Sequence, residues 1–131
     1  MSSNFVCKKV KKMHKSNVTN YEKYSVFSGH PAECLHHLIF GRRLRKLCDE
    51  DRLTIPLLNR EHNAAPDGVK NQVHDNPAAE NLSKIAGQLA YERVYLARVL
   101  EKGGTIGHQS MEDWLDEARE AFRRRYGESY L

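Results

Sequence analysis

Four of the seven histidines in this 131-residue chain, His36, His37, His62 and His74, are spaced so that they could support metal chemistry. His36 and His37 are adjacent in a short apolar run, residues 34–40, which ends at a glycine and predicts a strand. Because successive side chains of a strand point to opposite faces, the two rings cannot share one environment. One imidazole could hold a metal while the other stands in the open and accepts a proton from water.

His62 and His74 belong to the ends of other predicted elements. His62 falls on a short helix that begins with Asn59 as its cap, and His74 follows a turn at residues 66–68, just before a long helix. Three imidazoles from a strand, a helix and a loop can converge on one cation and leave a position open for substrate or water. A single histidine on a strand is usually structural, so the prediction of a metal site depends on the whole set.

The elements that position these histidines begin with two strands. A second strand-like run covers residues 53–58, and its Pro56 has no N–H to donate, which favours an edge or bulged position. The short helix is predicted over residues 59–65. Strands followed by helices predict an α+β fold in which the helices gather at the C-terminal side.

Two longer helices complete the predicted fold. The first starts at Asn76 and Pro77 and ends near Lys102, and the second runs from a Ser110 cap to Gly127. Spacing typical of a buried helix face predicts inward positions on both helices. They are Leu82, Ile85, Ala86, Leu89, Ala90, Val94 and Ala97 on the first helix, and Met111, Trp114, Leu115, Ala118 and Phe122 on the second.

The net charge of +4 is unevenly distributed along the chain. The first 28 residues, interpreted as a basic N-terminal segment, contain six lysines and a single acidic residue, Glu22. A second basic run consists of Arg42, Arg43, Arg45 and Lys46. Positive fields of this kind suit contact with a polyanion such as nucleic acid, although a solvated surface would show the same pattern.

Length and composition predict one domain, residues 1–131. The chain has no run of about 18 apolar residues and no apolar stretch behind a basic start, so we expect a cytoplasmic protein that does not contact a membrane. Its three cysteines form no Cys-x-x-Cys pair. They are interpreted as reduced thiols rather than as a disulfide framework.

The segment from Glu33 to His74 resembles the HNH, or ββα-metal, nucleases. The resemblance is carried by the His36-His37 pair at the end of the first strand and by the Pro56-Leu57 strand leading into a helix with a histidine. It implies a small ββα-metal, treble-clef-like core at residues 33–74, followed by a helical part at residues 76–131. A weaker similarity, through Val73-His74 and Phe122…Tyr126-Gly127, is to phage recombination-enhancement HNH nucleases.

The resemblance also implies a role for each histidine. His37 would be the general base, His36 and His62 would bind the metal, and His74 would be the third ligand. The cofactor would be one divalent ion, Mg, Mn, Zn or Ni. Activity would be hydrolysis of DNA phosphodiester bonds in a bacterial or phage-infected cell, with duplex DNA favoured and phage or recombination proteins as further partners.

Arg42, Arg43, Arg45 and Lys46 follow the histidine pair directly and are the predicted phosphate contacts, with a merely solvating loop as the alternative. The family's pattern places an asparagine at the start of the second strand, where this chain has acidic residues instead. Asp51 is therefore predicted to take its place and accept a hydrogen bond from His37.

The missing asparagine motivates a second hypothesis, a catalytically silent DNA-binding or inhibitor protein on the same scaffold. A third hypothesis is an interaction module with a structural metal site, in which the long helix presents Tyr91 and Tyr95 to a partner.

Overall fold

The computed structural model describes residues 15–62, 73–103 and 110–131. Predictions that fall on the first 14 residues of the basic segment, on residues 63–65 of the short helix and on the turn at residues 66–68 lie outside this part of the chain. The described elements are, in order, β1 (Cys34–His37), α1 (Leu44–Glu50), β2 (Thr54–Leu57), α2 (Asn59–His62), a 3-10 helix (Val73–Asp75), α3 (Pro77–Glu101) and α4 (Met111–Tyr126). A mixed α+β fold is confirmed.

The two strands form an antiparallel pair in which His36 lies opposite Ile55 and His37 opposite Thr54. β1 ends at His37, earlier than predicted, but the buried chain continues through Leu38 and Ile39. The backbone N–H of Val26 donates to the Pro56 carbonyl, so the segment before β1 covers the outer edge of β2. Every residue of both strands is buried, which places the histidine pair inside the protein.

Helix α1 occupies the connection between the strands, where the sequence predicted no helix. Its N-cap position is Arg43, which has a left-handed backbone (φ 74°) and gives no side-chain capping bond. Cap residues are the main local sign of a helix start in a sequence, and arginine is not one of them. The start of α1 could therefore not be recognised from the sequence. Its Cys48 is buried, accepting from the Ile39 N–H and donating to the Leu53 carbonyl.

The long helices start and end as predicted. Asn76 accepts hydrogen bonds from the N–H groups of Ala78 and Ala79, and Ser110 accepts one from that of Asp113. Gly127, with φ 94°, ends α4. The confirmed boundaries are those with strong capping chemistry.

The inward face of α3 differs in part from the predicted one, since Ala86 and Ala90 pack against the core as predicted. Leu82 and Leu89 are 65% and 53% exposed, whereas Ser83, Gly87, Gln88 and Glu92 are buried. On α4, Met111 and Leu115 are exposed, while Ala118 and Phe122 are buried as predicted. Small and polar residues on the inner face of α3 let the helix approach β1 closely and form hydrogen bonds there.

The core divides into two neighbouring clusters around the sheet. One contains Cys34, Leu38, Ile55, Leu57 and Val73. The other contains Ile39, Cys48, Leu53, Phe122 and Tyr126, with Tyr91 packed against it. No helix in the described ranges is both long enough and apolar enough to span a bilayer.

Candidate metal centre

His36, His62 and His74 meet at the junction of β1, α2, the 3-10 helix and α3. One ligand nitrogen from each ring lies within 4.8 Å of the other two, and the Nε2 atoms of His62 and His74 are 3.0 Å apart. Two nitrogens bound tetrahedrally at ordinary zinc distances would be about 3.3 Å apart. The three histidines predicted as ligands are therefore positioned to bind one metal ion.

Hydrogen bonds around His36 determine which of its nitrogens is available. The Ser83 hydroxyl donates its one proton to the Leu38 carbonyl at 2.7 Å. It must therefore accept from His36, whose Nε2 lies 2.7 Å away, so the proton of the neutral ring is on Nε2. Nδ1 is left as a buried lone pair, and within the described ranges it is the one buried side-chain nitrogen or oxygen without a hydrogen-bond partner.

A buried polar atom without a partner is costly in a folded protein, and a metal ion at this place would remove that cost. Metal-binding histidines usually donate their other ring N–H to a carboxylate, a carbonyl or a similar acceptor, which orients the ring. His36 does so through Ser83. The donor set and the unpartnered Nδ1 together fit a bound metal.

His74 has a comparable outer partner. Its Nδ1 lies 3.4 Å from the carboxylate of Glu80, which can only accept, so Nε2 is free of its proton in the neutral ring and faces His62. Glu80 and Ser83 are one turn apart on α3, which therefore supports two of the three candidate ligands. The Phe40 ring packs edge-on against His74, with the two ring centroids 4.7 Å apart, and forms an apolar wall of the site.

Burial and mutual repulsion favour the neutral form of His36 and of His74. The pKa of His36 is lowered to about 2, mainly by desolvation and to a smaller extent by the nearby His62 and His74. Desolvation and His62 also lower the pKa of His74, against the opposing influence of Glu80. Neutral imidazole is the form that binds a metal, so His36 is in its binding form at any pH near neutrality.

Gly87 explains how α3 comes close enough to reach His36. A Cβ at this position would lie 2.8 Å from Cγ1 of Ile39 and 3.1 Å from Cβ of Leu38. Gly87 is one turn after Ser83 on the same face of the helix, so the absence of a side chain there permits the contact between Ser83 and His36.

His37 points away from this cluster, as the strand geometry predicted, but it does not stand in the open. It is 6% exposed, and its Nε2 lies 2.8 Å from a carboxylate oxygen of Asp49 on α1. The prediction that one of the two adjacent imidazoles is openly accessible is wrong for this structure. His37 is buried as well as His36 because α1 covers the face of β1 on which His37 lies.

The carboxylate beside His37 also differs from the predicted one. Asp51 accepts hydrogen bonds from the Tyr126 hydroxyl at 2.6 Å and from Nε of Arg125 at 2.7 Å. It thereby joins the end of α1 to α4. The prediction that Asp51 bonds to His37 is wrong, because Asp49 lies on the turn of α1 that faces the strand.

The predicted phosphate contacts are all exposed. Arg42 and Arg43 precede α1, while Arg45 and Lys46 lie on it. Two of the four basic residues and Asp49, the partner of His37, thus share one helix.

Sequence reasoning missed three polar residues that complete the two sites: Asp49, Glu80 and Ser83. Glu80 and Ser83 lie on a helix whose apolar pattern directed attention to its other face. Their spacing of three places both on one side of α3, which is the signal that could have found them. No family model, curated protein or solved structure matches the chain, so the resemblance to HNH nucleases rests on the residues described above.

Proposed function

We propose that this protein is a metal-dependent nuclease that hydrolyses DNA phosphodiester bonds, built on a ββα-metal core formed by β1, β2 and α2. The observation that carries the proposal is the unpartnered Nδ1 of His36 among three converging histidines. A site with three protein ligands keeps a coordination position for substrate, which a closed structural site lacks.

The donor set narrows the choice of metal. Three imidazoles without a carboxylate suit zinc, nickel or another transition ion, whereas magnesium prefers oxygen ligands. His36, His62 and His74 would hold the ion. A bound ion of this kind supplies charge to polarise the phosphate and to stabilise the leaving oxygen.

The remaining chemistry belongs to His37 and α1. His37 would accept the proton of the attacking water, and Asp49 would hold its ring and stabilise the imidazolium that forms. Asp49 keeps about one-third of its side chain exposed, so this pair is connected to solvent. Arg42, Arg43, Arg45 and Lys46 would contact the phosphate backbone of duplex DNA and position it without reading its sequence.

One observation favours a second candidate, a metal-binding protein without turnover. His37 is almost fully buried, and a base must reach the water that it activates. In this alternative the metal would join β1 to α2 and the 3-10 helix, and the basic residues would bind DNA without cutting it.

The test is plasmid nicking by the purified chain loaded separately with Zn, Ni, Co, Mn or Mg, with His37→Ala assayed beside the wild type. We expect cleavage with a transition metal and a loss of about 100-fold or more in His37→Ala, whose metal content stays unchanged. The control is His30→Ala, because His30 is exposed and not part of the cluster. Full activity in His37→Ala would refute the role of His37, and bound metal with no cleavage under any ion would select the silent alternative.

A further inference from the structure

The segment that precedes β1 presents three exposed aromatic side chains. Tyr21, Tyr24 and Phe27 are 64%, 50% and 60% exposed, and they border a common cavity of about 540 Å³. Within the described ranges, the other exposed large apolar side chains are leucines and one methionine. These three residues form what we call the aromatic surface.

Backbone hydrogen bonds, rather than packing of the rings themselves, hold the aromatic surface in place. The Ser25 N–H donates to the His30 carbonyl, and the Gly29 N–H donates to the Ser25 carbonyl. The buried Ser25 hydroxyl accepts from the N–H groups of Phe27 and Ser28. The loop is therefore closed on itself, and the exposed rings are not needed to close it.

The same loop is tied to the candidate metal centre. The Ser25 hydroxyl donates to Glu61, whose carboxylate also accepts from the Leu58 N–H. Glu61 directly precedes His62 on α2. The aromatic surface thus lies on a loop that is anchored to the helix carrying a candidate metal ligand.

Charge indicates which kind of partner this surface suits. Exposed aromatic residues serve both protein and nucleic-acid interfaces, but a nucleic-acid surface also needs cations for the backbone. Lys23 is exposed between Tyr21 and Tyr24, and the described part of this segment, residues 15–28, contains two lysines against one acid; in the sequence, four further lysines precede it. This excess favours a polyanion with accessible bases over a neutral or basic protein.

We propose that Tyr21, Tyr24 and Phe27 bind single-stranded nucleic acid by stacking with unpaired bases. This inference rests on the proposed function for its choice of DNA. The preferred substrate is then duplex DNA that carries a single-stranded segment, with the unpaired bases on the aromatic surface and the adjoining duplex at the metal centre. Stacking of this kind tolerates any sequence, because every base has a π face.

The test is binding, measured separately from cleavage. Fluorescence anisotropy compares a labelled single strand with a blunt duplex of equal length, using the wild type and the double variant Tyr24→Ala/Phe27→Ala. We expect the variant to lose about tenfold or more in affinity for the single strand, with a change of about twofold or less for the duplex. Tyr24→Trp should retain single-strand binding, and 2-aminopurine in the strand should be quenched by the wild type but not by the double variant.

The control is Leu100→Ala, since Leu100 is 61% exposed on α3, away from the loop. Both rings that the double variant removes are exposed in the wild type, so their loss should not unfold the protein. An unchanged melting temperature checks that the variant folds. Equal single-strand affinity in wild type and double variant, or no single-strand binding by the wild type, would overturn the inference. If the double variant loses single-strand binding while the wild type cuts no DNA, the role of the aromatic surface is supported and only the nuclease proposal is refuted.

Discussion

The two faces of β1 carry adjacent histidines in very different surroundings. His36 faces two further imidazoles and is supported by Ser83, which lies 47 residues away along the chain. His37 faces Asp49, 12 residues away on the helix that follows its own strand. The first environment exists only when α2, the 3-10 helix and α3 have assembled, whereas the second needs only one short local connection.

The comparison indicates where metal binding would be coupled to folding. On the His36 side, the candidate ligands come from separate elements, so the free energy of binding a metal there would also stabilise their packing. On the His37 side, the histidine and its carboxylate are brought together without the ion. Variants on the two faces should therefore separate metal-linked stability from turnover.

The largest effect on the His36 side is expected from His62→Ala. Removing one of three ligands should weaken metal binding by more than about 100-fold, the upper end of what loss of an outer partner costs. The melting temperature should then respond little to added zinc. His37→Ala is the matched variant on the other face, and it should keep both the metal and the metal-dependent shift in melting temperature.

Isothermal titration calorimetry with zinc and thermal unfolding with and without a chelator measure both quantities. Wild-type zinc affinity in His62→Ala would show that the three histidines do not form a single site. Equal loss of metal in His37→Ala would show that the two faces are not independent.

The sequence predicted that His36, His62 and His74 come together, because histidine is rare and its placement at element ends is visible without a structure. It also predicted the ends of α3 and α4, where Asn76, Ser110 and Gly127 supply local capping chemistry. These features depend on residues close together in the chain.

The sequence did not predict the features that depend on packing between elements. Helix α1 has an arginine at its cap position, and the inner face of α3 is small and polar rather than apolar. The residues opposite this face explain its composition. Ser83 hydrogen-bonds to the buried His36, and Gly87 leaves room for the residues that follow His36 in the chain. The pairing of His37 with Asp49 followed from α1 and was missed with it.

A smaller effect is expected from Ser83→Ala, which leaves all three ligands in place. The variant removes the acceptor that places the proton of His36 on Nε2. Loss of an outer partner of this kind typically costs about 10- to 100-fold in metal affinity. The absorption spectrum of the cobalt-loaded protein should change as well, because the ring of His36 is no longer oriented.

Ser110→Ala is the matched control for Ser83→Ala. Ser110 caps α4, so its loss should lower stability by about 1 kcal/mol without touching the cluster. Zinc affinity and the cobalt spectrum should remain those of the wild type in this control. An unchanged spectrum and affinity in Ser83→Ala would remove the outer-partner role and leave Ser83 as a structural residue.

The smallest effect, and the one most specific to the His36 face, is expected from Gly87→Ala. In an exposed helix interior this change would stabilise the protein by roughly 0.5–1 kcal/mol. Here the added Cβ would meet Ile39 at 2.8 Å, and relieving such a contact costs about 1–3 kcal/mol. The net expectation is a destabilisation of up to about 2.5 kcal/mol, measured by urea unfolding, with weaker zinc binding because α3 carries Ser83 away from His36. A gain in stability at unchanged zinc affinity would contradict the close approach of α3 on which the metal side of β1 depends.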